Sequence, residues 1–316
     1  MDWLERHQVS LYLAGLAGGA LAGLAVPGIA GPAAAAINPV LGLLLYATFL
    51  SVPFAGIGRA LRDWRFLVTI LAVNFVVVPP VVFLVSRFVA HDRVLLAGVL
   101  FVLLTPCVDY VIAFAGLAGG ARENLLAATP LLMLVQLVLL PAYLWLFLGD
   151  DLVRTIEPGP FAEAFGLLVL LPLAAAWLTQ AAAARDRRAA AFRDGVTGAM
   201  VPLMVLTLAT VVASQIAAVG GRFGALLLTV PVYLAFAALM VPVGAFSGRL
   251  ARLDVPGRRA VVFSGVTRNS LVVLPLVLAL PAAYALAPLV VVTQTLVELV
   301  LMVVLVRLVP RIVRES

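Results

Sequence analysis

The 316-residue sequence is 64% hydrophobic and only 11% charged, and its mean hydropathy is +1.18. Soluble domains carry about 25% charged residues, so this composition excludes a soluble globular protein and indicates one that uses lipid as its solvent. The net charge of +6 does not indicate nucleic-acid binding, because all 21 basic residues are arginines that lie mostly in short loops between apolar segments.

Apolar segments of about 20 residues recur along the whole chain and predict ten transmembrane helices. The breaks between them are short and are marked by proline, glycine and charged residues. We expect no cleavable signal peptide, because Asp2 and Glu5 precede the first apolar segment and further segments follow it. The predicted spans are 9–29, 38–57, 66–88, 94–117, 124–148, 161–181, 196–219, 223–247, 259–281 and 284–308.

Arginine counting predicts the orientation of these spans. Sixteen arginines fall on one side of the membrane and four on the other, while Arg268 lies inside a span. The arginine-rich side is expected to face the cytoplasm. The sequence therefore predicts a multi-pass protein of the plasma membrane with both termini cytoplasmic.

A fixed interval, the one that separates Thr105 from Thr267, relates the two halves of the chain. This repeat interval also pairs Gln136 with Glu298 and Pro80 with Pro242. Two repeats of five spans, 1–158 and 159–316, must insert with opposite orientation because five is an odd number. Inverted repeats of this kind are typical of secondary transporters, whose site lies where broken helices of the two repeats meet.

Spans four and nine are predicted to be those broken helices. Thr105-Pro106 lies in the middle of span four, where the proline removes a backbone donor. Thr267 lies at the equivalent point of span nine, within the polar segment Ser264–Ser270. The predicted fold is therefore an all-α polytopic membrane protein with two inverted five-helix repeats and crossing breaks in spans four and nine.

Three charged residues lie deep inside predicted spans, away from the span ends: Asp109, Arg268 and Glu298. Each charge costs about 2.5–3.5 kcal/mol at the bilayer centre on insertion scales, so each needs a partner or an aqueous cavity. One interpretation is a central site in which Arg268 faces one or both carboxylates. The other is a clamp that only holds the helices together. Buried amides are weaker candidates, since they often only bond across helices: Asn74, Gln136, Asn269, Gln294, with Thr293 beside them.

Cys107 is the only cysteine, so an intrachain disulfide and a CxxC metal site are excluded. A lone buried cysteine is usually a small apolar side chain. Its position next to Pro106 and two residues before Asp109 favours a functional role instead. A thiolate is a soft ligand that suits thiophilic elements.

With these residues the sequence resembles the bile acid/sodium symporter superfamily, and within it the arsenical-resistance permeases that export arsenite. Cys107 falls where those permeases have an essential fourth-span cysteine. Arg268-Asn269 matches the start of their ninth-span Arg-Asn-Phe-Glu motif, and Glu298 falls at their tenth-span glutamate. The resemblance covers essentially the whole chain.

The sequence departs from that pattern at three positions. Ser270-Leu271 replaces the Phe-Glu of the motif, so the ninth-span acid is missing, and Pro106 stands where the family usually has arginine. Asp109 is the position that the repeat interval pairs with Leu271. Our hypothesis is that the carboxylate has moved to Asp109 while the site has kept its charge.

The resemblance implies export of trivalent arsenic, as arsenite and with antimonite as a second cargo, in exchange for protons. Cys107, Asp109, Arg268 and Asn269 would then bind the cargo, Cys107 as a transient arsenic ligand, and Glu298 or Asp109 would couple it to protons. No further cofactor is implied.

The alternative is a sodium-coupled symporter of an organic anion, in which Arg268 pairs with the cargo. An intramembrane enzyme or a sensor is disfavoured, because the sequence contains no HExxH motif, no Ser/His constellation and no phosphate loop.

Overall fold

The computed structural model describes residues 3–4, 7–52, 63–108, 110–155, 166–219 and 223–314. Nearly all of them are helical, as expected for backbone that must satisfy its own hydrogen bonds in lipid. In chain order the α-helices of these residues are α1 (Gln8–Ala25), α2 (Ala30–Ser51), α3 (Trp64–Ala72), α4 (Val78–Ser86), α5 (Arg93–Leu103), α6 (Tyr110–Leu117), α7 (Arg122–Thr155), α8 (Leu171–Ala183), α9 (Arg187–Gly198), α10 (Met200–Val219), α11 (Phe223–Leu227), α12 (Thr229–Leu250), α13 (Val255–Val266), α14 (Ser270–Leu278) and α15 (Ala287–Ile312).

The chain forms two compact units, each assembled from separate segments of the sequence. This division does not follow the predicted boundary between residues 158 and 159. That boundary separates repeats of sequence rather than compact units, so the two-repeat organisation stays a prediction. Unit 1 comprises Met1–Ser51, Thr155–Leu226 and Leu271–Val292, and unit 2 comprises Val52–Arg154, Leu227–Ser270 and Thr293–Ser316.

In unit 1, helix α10 packs against α1 and α2, and α8 packs against α2. Glycines let the backbones of α1 and α10 approach closely. A Cβ atom at Gly19 would lie 2.4 Å from the carbonyl oxygen of Ala209, and one at Gly15 would lie 2.9 Å from the Val205 side chain. Close approach through small residues is a common way to pack helices in membranes.

In unit 2, aspartates begin two helices at equivalent points of the repeat. Asp92 accepts hydrogen bonds from the first-turn N–H groups of α5, and Asp254 accepts one from the first turn of α13. Such caps satisfy donors that a helix start leaves free. The repeat interval found in the sequence separates Asp92 from Asp254, so the caps follow it. The opposite orientation of the two halves stays a prediction.

Within the described residues, six helices are long and apolar enough to cross a membrane, or seven if the bent pair α9–α10 is one span. In the part of the chain that the structure describes, each of the ten predicted spans contains helical structure, but not every one is a continuous long helix. Predicted spans 94–117 and 259–281 are each divided into two short helices, α5 with α6 and α13 with α14. A total of ten spans therefore stays a prediction.

Large apolar side chains cover much of the helix surfaces. Leu84, Phe88, Val138, Phe246 and Leu250 are each at least 66% exposed. An apolar surface of this extent would be unfavourable in water and is expected where helices contact lipid.

Candidate functional site

Two helices of unit 2 are interrupted, and the interruptions pair with each other. Helix α5 ends at Leu103 and helix α13 ends at Val266. Pro106 lies three residues after the end of α5, and a proline lacks a backbone donor and disfavours helical geometry in the residue before it. At the second break Thr267 is extended, with φ −78° and ψ 138°.

The extended residues of the two breaks cross as an isolated antiparallel bridge between Pro106 and Arg268. The Cys107 N–H donates to the Thr267 carbonyl at 3.3 Å, and the Asn269 N–H donates to the Thr105 carbonyl at 2.8 Å. These bonds satisfy backbone groups that the broken helices would otherwise leave free. The structure thus brings Thr105, Pro106 and Thr267 together at one crossing point, where sequence analysis placed the breaks.

Arg268 is completely buried at this crossing. Its Nη2 donates to the carbonyls of Ser264 at 2.7 Å and Gly265 at 2.8 Å, and its Nη1 donates to the carbonyl of Leu103 at 3.3 Å. These carbonyls lie in the last turns of α13 and α5, where helices leave acceptors unpaired and carry partial negative charge. The guanidinium group therefore caps the C-terminal ends of both broken helices.

Two further side chains hold the guanidinium. Asn74 accepts from Arg268 Nη2 at 2.9 Å through its Oδ1, and its Nδ2 donates to Ser264 Oγ at 2.9 Å. The Phe236 ring lies 5.3 Å from the guanidinium carbon, in cation–π geometry. Asn74 occupies the π-helical turn Val73–Val77, a local irregularity that often marks functional sites.

Glu298 meets Arg268 through the backbone. Its Oε2 accepts from the Arg268 N–H at 2.8 Å, and it also accepts a short hydrogen bond from Gln294 Nε2. The side chains of Gln294 and Glu298 lie on α15 and are at most 3% exposed. The predicted proximity of Arg268 and Glu298 is thus present, and the guanidinium group has the helix-end carbonyls among its acceptors.

A small cavity lies beside these two α15 side chains. It offers about 10 Å³ of open space and is bordered by Gln294, Glu298, Tyr233, Phe236 and Leu103, with apolar groups completing the wall. Such a space holds about one water-sized group. The Tyr233 hydroxyl is hydrogen-bonded to Thr229.

Residues 38–222, more than half of the chain, match the model of the sodium bile acid symporter family. The chain belongs to the sodium bile acid symporter family. Among curated proteins, none matches the chain significantly. Family membership, together with the apolar helices, makes this a multi-pass membrane transporter, either sodium-coupled or related to sodium-coupled carriers.

In this family member most of the residues singled out from sequence lie in unit 2. Cys107 is 1% exposed, and its sulfur lies within the first break as a thiol outside any disulfide. Asn269 is 2% exposed and lies beside Arg268 in the second break. Asp109 lies outside the described residues, and Leu271 belongs to α14. Their roles in binding or coupling stay predictions.

Phe236 and Tyr233 were missed by sequence analysis, because an aromatic residue in an apolar span carries no signal of its own. One signal was available for Phe236. The repeat interval separates it from Asn74, so the two side chains that hold the guanidinium group are repeat counterparts.

Proposed function

We propose that this transporter exports trivalent arsenic, as arsenite and with antimonite as a second cargo, across the plasma membrane in exchange for protons. The observation that carries the proposal is the buried Cys107 thiol within the first helix break. Inverted-repeat carriers bind their cargo at such breaks. Trivalent arsenic is a soft, thiophilic element that matches a sulfur ligand.

The chemistry of capture is a reversible exchange at arsenic. Arsenous acid is neutral at neutral pH, so it needs no counter-charge from the site. The Cys107 sulfur forms one bond to arsenic, one arsenic–hydroxyl bond breaks, and the thiol proton leaves with the hydroxide as water. No oxidant or reductant is required. Because the chain has a single cysteine, only one sulfur can bind, and a carrier that must release its cargo benefits from that weak capture.

The contacts of Arg268 weigh against the organic-anion alternative. The guanidinium donates to three backbone carbonyls and to Asn74. A carboxylate cargo would have to compete with these partners for a guanidinium group that is completely buried. Movement of the guanidinium group towards the cargo would leave the ends of α5 and α13 without their cap. Arg268 therefore serves best as a positioning residue that holds the crossing, with Asn269 beside the cargo.

Proton coupling is assigned to Glu298, with Asp109 as the second carboxylate. Glu298 is almost completely buried and accepts two hydrogen bonds on its Oε2. A buried carboxylate that can be neutralised by a proton is a common device of proton-coupled carriers. Cytoplasmic termini, predicted from the arginine distribution, complete the proposal.

The test is arsenite accumulation in cells that lack their own efflux carrier. Cells with the wild-type protein should accumulate several-fold less arsenite than cells without it, and Cys107→Ala should abolish that difference. The double variant Cys107→Ala/Ala182→Cys is the matched control, because Ala182 is exposed on α8 in unit 1. It restores one thiol at the wrong place and should not restore export. Unchanged accumulation with well-expressed wild-type protein would contradict arsenite export.

Family membership favours a second candidate, sodium-coupled symport of an organic anion. Vesicles containing the protein would then take up a labelled organic anion only with an inward sodium gradient, and Cys107→Ala would not change that uptake. Sodium-independent arsenite export that is lost in Cys107→Ala would contradict this candidate.

A further inference from the structure

The amide of Gln294 has a fixed orientation, which leaves one of its atoms without a partner. An ionised carboxylate only accepts hydrogen bonds, so Gln294 must turn its NH₂ group towards Glu298, as it does. Its Oε1 is then buried and accepts no hydrogen bond from any described residue. Buried acceptors are normally paired, so an unpaired one beside a cavity indicates a ligand that the cavity holds.

The cavity limits what that ligand can be. Its open space of about 10 Å³ accommodates one water-sized group rather than a whole organic anion. Glu298 and Arg268 already offset each other in charge, and they are joined at 2.8 Å through the Arg268 N–H. A neutral group with a hydrogen to donate fits both the size and the charge of this space.

We infer that Gln294 and Glu298 form a binding site for one hydroxyl group of a neutral cargo, with Gln294 Oε1 accepting its hydrogen. The inference rests on the proposed function, since arsenous acid is a small neutral molecule that carries hydroxyl groups. Gln294 Oε1 is then the acceptor that determines specificity for a hydroxyl-bearing cargo.

Protonation of Glu298 reverses the polarity of the site. A neutral carboxyl group can donate, so the Gln294 amide turns over, its Oε1 accepts from Glu298, and its Nε2 faces the cavity. A hydroxyl on arsenic is more acidic than that of water or an alcohol, so it is a better hydrogen-bond donor and its oxygen is a weaker acceptor. Proton and cargo therefore bind alternately, which is what an exchanger requires.

Two neighbouring elements bring a charged or titratable group to Glu298 or to the cavity that it borders. Arg268, at the break after α13, donates to Glu298 and stays charged throughout the physiological range. Tyr233 on α12 borders the same cavity, and it stays neutral in that range. Helix α5 contributes only the apolar Leu103 to the wall. Glu298 is therefore the group whose protonation state sets the direction of the amide.

The test is arsenite transport into everted membrane vesicles, with KM measured between pH 6 and pH 8. Wild-type KM should rise as the pH falls, because Gln294 Oε1 then accepts from protonated Glu298 and no longer accepts from the cargo hydroxyl. Gln294→Leu should raise KM about tenfold at pH 8, the effect of one lost hydrogen bond. Glu298→Gln should make KM independent of pH, since a side-chain amide does not titrate.

Gln136→Leu is the matched control. Gln136 is also a buried glutamine of unit 2, but it does not border this cavity. Its replacement should leave KM within twofold of wild type. Membrane levels of all variants are compared by immunoblot to separate loss of protein from loss of affinity.

The outcomes separate the two proposals. If the wild-type protein transports arsenite, and Gln294→Leu behaves as Gln136→Leu does, the hydroxyl site is wrong while arsenite export stands. If Glu298→Gln keeps the pH dependence of KM, the amide reversal is wrong. If the well-expressed wild-type protein transports no arsenite, both proposals are wrong.

Discussion

The two helix breaks of unit 2 share a threonine hydrogen bond but differ in the residue that follows the threonine. In each, a threonine hydroxyl donates to the carbonyl four residues earlier, from Thr105 to Phe101 at 2.9 Å and from Thr267 to Phe263 at 2.8 Å. The repeat interval separates both the two threonines and the two phenylalanines. The residue after the threonine is a proline in one break and a fully buried arginine in the other.

The difference between proline and arginine changes one backbone hydrogen bond. Arg268 donates its N–H to Glu298, whereas Pro106, at the equivalent position, has none to donate. Gln136, the repeat counterpart of Glu298, is buried and forms no side-chain hydrogen bond within the described residues. Both repeats thus contribute backbone hydrogen bonds to the crossing of the two breaks. Among the described residues, only the second repeat contributes a guanidinium group, that of Arg268, to cap the helix ends.

The largest effect is expected from removing that cap. Arg268→Leu should lower the free energy of unfolding by about 3–5 kcal/mol, because it leaves Glu298 as an uncompensated buried charge and frees the helix-end carbonyls. The measurement is thermal unfolding of the purified protein in detergent, together with its yield as a monodisperse species. Arg193→Leu is the control, since Arg193 is 39% exposed and pairs with Asp194 at the surface. Equal stability of the two variants would contradict the capping role.

A smaller effect is expected from the two repeat counterparts that hold the guanidinium. Asn74→Leu should cost about 2–3 kcal/mol, because it removes a hydrogen bond to a charged group. Phe236→Leu should cost about 1–2 kcal/mol, mainly through the cation–π contact. Double-mutant cycles with Arg268→Leu measure both. If each change costs as much in the Arg268→Leu background as in the wild type, neither side chain acts through the arginine.

The smallest effect should be equal in the two breaks. Thr105→Val and Thr267→Val each remove one hydroxyl-to-carbonyl bond, which in membrane proteins is worth about 0.6 kcal/mol. Thr129→Val is the matched control, because Thr129 makes the same bond to Leu125 within a helical stretch of α7. Thermal unfolding should show three similar small losses. A large loss at only one break would contradict the shared backbone role.

The positions of the breaks could be predicted from sequence because two signals coincide. Pro106 removes a backbone donor from span four, although a proline alone is not enough, since Pro130 and Pro141 lie inside α7. The polar segment around Arg268 marks a second irregular point in span nine. The repeat interval then related the two. The number of continuous spans could not be predicted as reliably, since a broken helix and an unbroken one have the same hydropathy.

The partners of the arginine could not be predicted from sequence. Both Glu298 and the helix-end carbonyls are suitable acceptors for Arg268, and only the fold decides which of its groups meets which acceptor. The structure assigns the backbone N–H to the carboxylate and directs the guanidinium to carbonyls that include those of Ser264 and Gly265. These contacts hold the ends of the two broken helices together, and the choice between the clamp and the central site stays a prediction.

The close contact of α1 with α10 also affects how the chain is made. Gly19, near the start of the sequence, meets Ala209, which lies in its second half. The ribosome therefore releases α1 into the membrane long before its partner exists. Until then the glycine face of α1 contacts lipid, with which it makes few side-chain contacts because glycine has no side chain. Completion of unit 1 thus waits for the second half of the chain, and a nascent chain that stalls before α10 leaves its first helix unassembled.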